Sequence, residues 1–96
     1  MKHAGPATLD ALDALLAELR GIAGLQERSR GVFYRKSKAF LHFHEDPSGI
    51  HADLRIGDGF VRYRVESAAE RRALLARVRR AVAPPTSASA RHRFPS

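Results

Sequence analysis

Apolar side chains recur at helical spacing near the start of the chain. Leu9, Leu12, Leu16 and Leu19 share one face, flanked by Leu15 and Ile22. Thr8 stands where an N-cap belongs, and Asp10 sits in the first turn, where a carboxylate suits the helix dipole. Gly21 and Gly24 end this helix, and residues 25–31 read as a polar connector. From Gly31 onward the apolar positions alternate. Four strands are predicted: Val32–Lys36, Phe40–Glu45, Ile50–Ile56 and Phe60–Glu66. Ser37-Lys38, Asp46–Gly49 and Asp58-Gly59 are the turns between them, the last a strong hairpin signal. Ser67 and Glu70 then form a capping box that opens a second helix. Leu74, Leu75, Val78, Ala81 and Val82 make its apolar face, and Pro84-Pro85 stops it.

This order predicts a two-layer α+β domain: helix, four-stranded antiparallel meander, helix. Each helix has a single apolar stripe, so both are expected on the same sheet face. The domain spans residues 8–83, with a disordered leader at 1–7 and a disordered tail at 84–96. The turns imply a register. Asp58-Gly59 pairs Ile56 with Val61, Leu54 with Tyr63 and Ala52 with Val65. The Asp46–Gly49 loop pairs Phe43 with Ala52 and Leu41 with Leu54. Ser37-Lys38 pairs Tyr34 with Leu41 and Val32 with Phe43. All three hairpins then put apolar residues on one face, and a one-residue slip would break that agreement. The expected core is Leu12, Leu16, Leu19, Val32, Tyr34, Leu41, Phe43, Ala52, Leu54, Ile56, Val61, Tyr63, Leu74, Leu75, Val78 and Val82.

The uncovered face holds the candidate chemistry. Its rows read Phe33, His42, Asp53, Arg64, then Arg35, Phe40, Arg55, Arg62, then His44, His51, Glu66. Charge matters here. The chain carries 17 basic and 10 acidic residues, a formal net charge of +7. Such a balance favours polyanionic partners. Arginines can hold phosphates while exposed aromatics stack bases. Phe33, Arg35, Phe40, Arg55, Arg62 and Arg64 are therefore the expected nucleic-acid-binding residues. Helix two adds Arg71, Arg72, Arg77, Arg79 and Arg80, expected on the helical side and away from this face.

Two other readings compete. His42, His44, His51 and Glu66 have donor types that bind zinc or iron. His42 beside Asp53 is an alternative acid–base pair, because a carboxylate fixes an imidazole tautomer. A small metal-dependent or acid–base enzyme would use these five residues. The uncovered face is also a candidate homodimer surface. The leading expectation is a non-enzymatic binding module without a cofactor. There is no cysteine, which excludes disulfides and thiolate chemistry. No apolar run is longer than Ala14–Ala17, and the first residues are not a secretory signal, so a cytoplasmic protein is expected. Phosphate-loop, zinc-protease and nucleophile-elbow motifs are missing.

Residues Phe40–Arg55, followed by Gly59–Val65 and a capped helix, resemble small uncharacterised bacterial proteins of high-GC genomes. They are similar, more distantly, to the luciferase-family small proteins, with a His-x-His strand, an Asp-containing next strand and a terminal helix. The strand–strand–strand–helix order also resembles the MmcQ/YjbR-like family. That family is often labelled DNA-binding, so the resemblance implies a nucleic-acid partner. Neither resemblance assigns a role to an individual residue.

Overall fold

The computed structural model describes residues 2–83. It is an α+β fold in two layers, with three helices on one face of an antiparallel sheet. The elements run β1 (Lys2–His3), α1 (Pro6–Ala11), α2 (Asp13–Arg20), β2 (Gln26–Ser29), β3 (Val32–Arg35), β4 (Lys38–Asp46), β5 (Gly49–Ile56), β6 (Gly59–Arg64) and α3 (Ala68–Val82). The sheet order is β2-β3-β4-β5-β6, with β1 pairing β4 as a sixth strand. β1 and β3 lie end to end along the same edge of β4, because β1 meets Glu45 and His44 while β3 meets His42 to Lys38. Among the described residues no helix is long and apolar enough to cross a membrane.

Two expectations about the N-terminal part need correction. Residues 2–7, read as a disordered leader, contribute β1 and the start of α1. The first helix opens at Pro6 after Gly5, not at Thr8, and Pro at the first helical position is pre-set for that role. The Thr8 hydroxyl instead donates to Glu45, whose other oxygen accepts the Gly5 N–H at 2.9 Å. One carboxylate on β4 thus pins the chain between strand and helix. The helix is also broken at Leu12, which ends α1 and starts α2. The expected tail, 84–96, lies outside the described residues.

The polar connector is largely strand. Gln26–Ser29 forms edge strand β2, and polar residues suit such an edge. Glu27 ties it to α2 through two bonds from Arg20, at 2.5 and 3.0 Å. Gly31 turns β2 into β3 at φ +80, and a Cβ there would sit 2.7 Å from Leu9, so the turn requires glycine.

The β4–β5 register is as expected, with Phe43 opposite Ala52 and Leu41 opposite Leu54. The other two hairpins differ. The last turn centres on Gly57-Asp58, with Gly57 at φ +63, so Leu54 faces Val61 and Ala52 faces Tyr63. This is a two-residue slip, which keeps every side chain on its expected face. The β3–β4 turn centres on Lys36 and Ser37, both left-handed at φ 53 and 68, the pattern of a type I′ turn. A bulge then follows. Tyr34 faces Ala39 but Phe33 faces Leu41, leaving Phe40 as the extra residue on β4. Beyond the bulge β3 is flipped relative to the expected register.

The core changes accordingly. Phe33, Phe40 and Val65 are buried beside Leu41, Phe43, Ala52 and Leu54, and the helices add Leu9, Leu12, Leu15, Leu16, Leu19, Leu74 and Val78. Val32 and Tyr34, expected in the core, are half-buried. Tyr63, Leu75 and Val82 only pack against its margin. Ile56 and Val61 face the helical side but remain 49% and 41% exposed, because the helical layer stops short of that corner. α3 begins with the expected capping box: the Glu70 N–H donates to the Ser67 hydroxyl at 3.1 Å, and the Ser67 N–H donates to Glu70 at 2.9 Å.

Two measurements check this register. Phe33→Ala should lower stability by about 3–5 kcal/mol in urea denaturation, while Phe60→Ala should cost under about 1 kcal/mol. Lys36→Asn with Ser37→Gly should raise stability by about 1 kcal/mol, because both positions hold left-handed backbone.

Candidate functional site

Two neighbouring surfaces carry the candidate chemistry. The first is the face of the sheet opposite the helices. Strand alternation turns His42 and His44 of β4 outward, and the register sets His42 beside Asp53 and Asp53 beside Arg62. The next row is His44, His51 and Arg64, and the one on the other side pairs Arg55 with Phe60. β1 brings His3 opposite His44.

These side chains converge. His42 Nδ1 and His44 Nε2 are 2.8 Å apart, and His44 Nε2 is 3.1 Å from Asp53 Oδ2. Arg62 donates to both Asp53 oxygens, Nε to Oδ1 at 2.7 Å and Nη2 to Oδ2 at 2.9 Å. The His3 ring lies 4.9 Å from the His44 ring, and His42 packs against Phe60 at 5.0 Å. Asp53 is only 7% exposed although no helix covers this face. The Arg62 hydrogen bonds hold its carboxyl below the usual carboxylate range against the opposing effect of burial, with the Arg62 and His44 charges adding to the lowering. Burial lowers the His42 pKa, and His44 adds to the effect against the pull of Asp53.

The expected residues divide. His42 with Asp53, the alternative acid–base pair, is adjacent as read. In the metal set, His42 and His44 come together, but Asp53 is the third donor, all three ligand atoms lying within 4.8 Å of one another. His51 and Glu66 stay outside that group. The Glu66 carboxylate instead accepts the Ile50 N–H at 2.6 Å. Phe33 and Phe40 are 1% and 4% exposed, so neither is a stacking platform. The bulge that draws both inward is the reason. Phe60, 41% exposed under the Arg55 guanidinium at 4.7 Å, is the aromatic this face presents. Arg62 remains half-exposed, but its guanidinium is engaged by Asp53, and Arg64 lies 3.9 Å from Glu70.

The second surface is a cleft of about 660 Å³ at the corner where the helical layer stops short. The β3–β4 turn supplies Arg35, Lys36 and Lys38, the end of β5 supplies Arg55, and α3 supplies Arg77 and Arg80. Phe40 and Tyr63 line it as well, with Arg77 4.5 Å over the Tyr63 ring. No carboxylate lines it, and none of the six cations forms an ion pair among the described residues. For Arg77 and Arg80 this corrects the expectation that the helix arginines lie apart from those of the sheet. Arg55 joins the two surfaces, lining the cleft and covering Phe60. Lys36, Lys38, Arg77, Arg80 and Phe60 were not expected at one site. Helical spacing could have aligned Arg77 with Arg80, but only tertiary packing brings them to the turn.

No protein-family model matches the chain, and neither a curated protein nor a solved structure matches it.

The lowered His42 pKa has a sign that can be measured. His3, His44, Asp53, Arg62 and Phe60 face this ring. In the unfolded chain it titrates near pH 6.5. The folded state therefore binds fewer protons below that point. Its contribution is complete above about pH 6.5 and is lost as pH falls toward the depressed folded value. The Asp53 contribution has the same sign but is lost only below about pH 4. With a chelator present, the urea midpoint of the wild type should drop between pH 7.5 and 5, and His42→Gln should flatten that drop. An equal drop in the variant would remove His42 as its source.

Proposed function

We propose that the protein is a nucleic-acid-binding module without catalytic activity. It takes a single strand into the basic cleft and stacks a base on Phe60. The observation that carries this reading is the cleft itself: six cations from the β3–β4 hairpin, β5 and α3, without an acid among them. Elsewhere arginines are largely engaged. Arg20 pairs with Glu27, Arg30 with Asp10, Arg62 with Asp53 and Arg79 with Glu18, while Arg71 donates to the Val65 and Ala11 carbonyls. Like charges held together without counter-charges repel one another, and a phosphodiester chain relieves that cost. The cleft volume falls in the range of small-ligand sites, which suits one flexible strand better than a duplex. Arg55 leads from the cleft to Phe60, so phosphate contacts and a π-face adjoin. The reading places the protein in the cytoplasm, within reach of nucleic acid.

Fluorescence anisotropy with a labelled mixed-sequence single-stranded oligonucleotide tests it. Six phosphate contacts to a single strand give a log–log salt slope of about −4. Arg77→Ala with Arg80→Ala should weaken binding and shallow the slope by about 1.4. Phe60→Ala should weaken binding roughly 5- to 100-fold and leave the slope unchanged. A flat salt response, or full affinity in the double variant, overturns the assignment.

A further inference from the structure

We propose that His42 Nδ1, His44 Nε2 and Asp53 Oδ2 form a binding site for a borderline divalent transition-metal ion of the zinc class. This does not depend on the nucleic-acid reading, since none of the three lines the basic cleft.

The argument starts from proton bookkeeping. His44 Nε2 makes two short contacts, to His42 Nδ1 and to Asp53 Oδ2. A neutral imidazole carries one proton and one lone pair. If Nε2 is protonated, its single proton must serve two acceptors. His44 Nδ1 is then a buried lone pair with no partner. If Nε2 is unprotonated, it accepts from His42 but turns its lone pair on a carboxylate 3.1 Å away. His44 Nδ1 then carries a buried proton with no acceptor. Each neutral tautomer leaves a defect of a kind that buried polar groups avoid. One cation among the three atoms meets all three lone pairs at once and removes the conflict at Nε2, while the His44 proton stays on Nδ1.

The spacing is close to that around an ion. Two donors about 2.1 Å from a tetrahedral metal lie about 3.4 Å apart. The two short contacts, 2.8 and 3.1 Å, are somewhat shorter, so a small outward rotation of the side chains admits the ion. The donor set selects the metal class. Two imidazoles with one carboxylate suit zinc and its neighbours, whereas calcium and magnesium require mostly oxygen. Three protein donors leave coordination positions for water, and His3 from β1 stands beside His44 as a further imidazole.

Arg62 does not close the site. A carboxylate offers about four lone pairs, and Arg62 takes one on each oxygen. Oδ2 keeps a second, on the side of His44. Arg62 then orients a ligating carboxylate, as outer hydrogen-bond partners do in metal sites.

The experiment uses full-length protein without an affinity tag, stripped with a chelator. Zinc is titrated in competition with a chromophoric chelator, and cobalt(II) is followed by absorption. The expected result is one ion per chain, bound at about micromolar strength or tighter. His44→Gln and Asp53→Asn should each weaken it by about 100-fold or more, and His51→Ala should leave it unchanged. Circular dichroism reports whether the variants fold. If they do not, the wild type decides: ring-nitrogen NMR should show His42 Nδ1 and His44 Nε2 moving on zinc addition while His51 stays still. No binding at about 100 µM zinc, full binding in both folded variants, or ring shifts that spare His42 and His44 would overturn the site.

Discussion

The structure depends on one extra residue in β4. Phe40 has no counterpart on β3, so the ladder on either side of it differs by one. A strand turns successive side chains to opposite faces, and that difference exchanges inside for outside along the rest of β3. Phe33 enters the core and Val32 leaves it. Phe40 is buried beside Leu41, two consecutive apolar residues that a regular strand could not bury on one side. The same strand holds His42 and His44 outward and Phe43 inward. Burying Phe40, Leu41 and Phe43 therefore also fixes where the two histidines stand.

A second constraint is charge neutralisation. The chain has too few carboxylates to pair its arginines, so where the carboxylates sit decides which cations stay unpaired. Glu27, Asp10 and Glu18 are spent fastening helices and the edge strand to their neighbours. Asp53 is spent on Arg62 and His44. None reaches the corner bounded by the β3–β4 turn and the end of α3. Positive charge accumulates there by default, and the short helical layer makes the corner concave. Surface ion pairs contribute little stability. Their larger effect here is spatial, because they confine the unneutralised charge to one cleft.

The legible part of the fold was the part encoded by periodicity and caps. The alternation from Val32 to Glu66, the Ser67–Glu70 box and the leucine stripe specify element types and the two layers without tertiary information. Agreement of apolar faces tests register only by parity. It could not detect the two-residue slip at Gly57-Asp58, which moved Asp53 from Arg64 to Arg62 while leaving every face intact. A bulge changes parity locally, and the adjacent apolar pair Phe40-Leu41 is a weak mark of one, since alternation alone assigns the two residues to opposite faces. His42 meets Asp53 as alternation predicts, because the β4–β5 hairpin carries neither a slip nor a bulge. The basic cleft was not legible, since Lys36 and Arg80 come from elements whose approach is set by packing. His3 was not legible either. It reaches the cluster only because β1 extends the sheet edge beside β4.

The uncovered face is less open than its topology implies. Asp53 is nearly as buried as a core residue, and the His44 side chain is only 12% exposed. The cover comes from the face's own long side chains: Arg62 lies over Asp53, and Phe60 and His3 close around His42 and His44. A partner that drew Arg62 away from Asp53 would strand a buried carboxylate, which costs more than an exposed ion pair returns. The cleft imposes no such cost, because none of its cations has a carboxylate partner to lose among the described residues. Phe60 lies at the boundary between the two regions, partly exposed, with His42 against its ring and the Arg55 guanidinium over it. On the proposed reading a large anionic ligand is directed to the cleft and the Arg55–Phe60 edge, while the histidine cluster leaves room only for something as small as a proton or a metal ion.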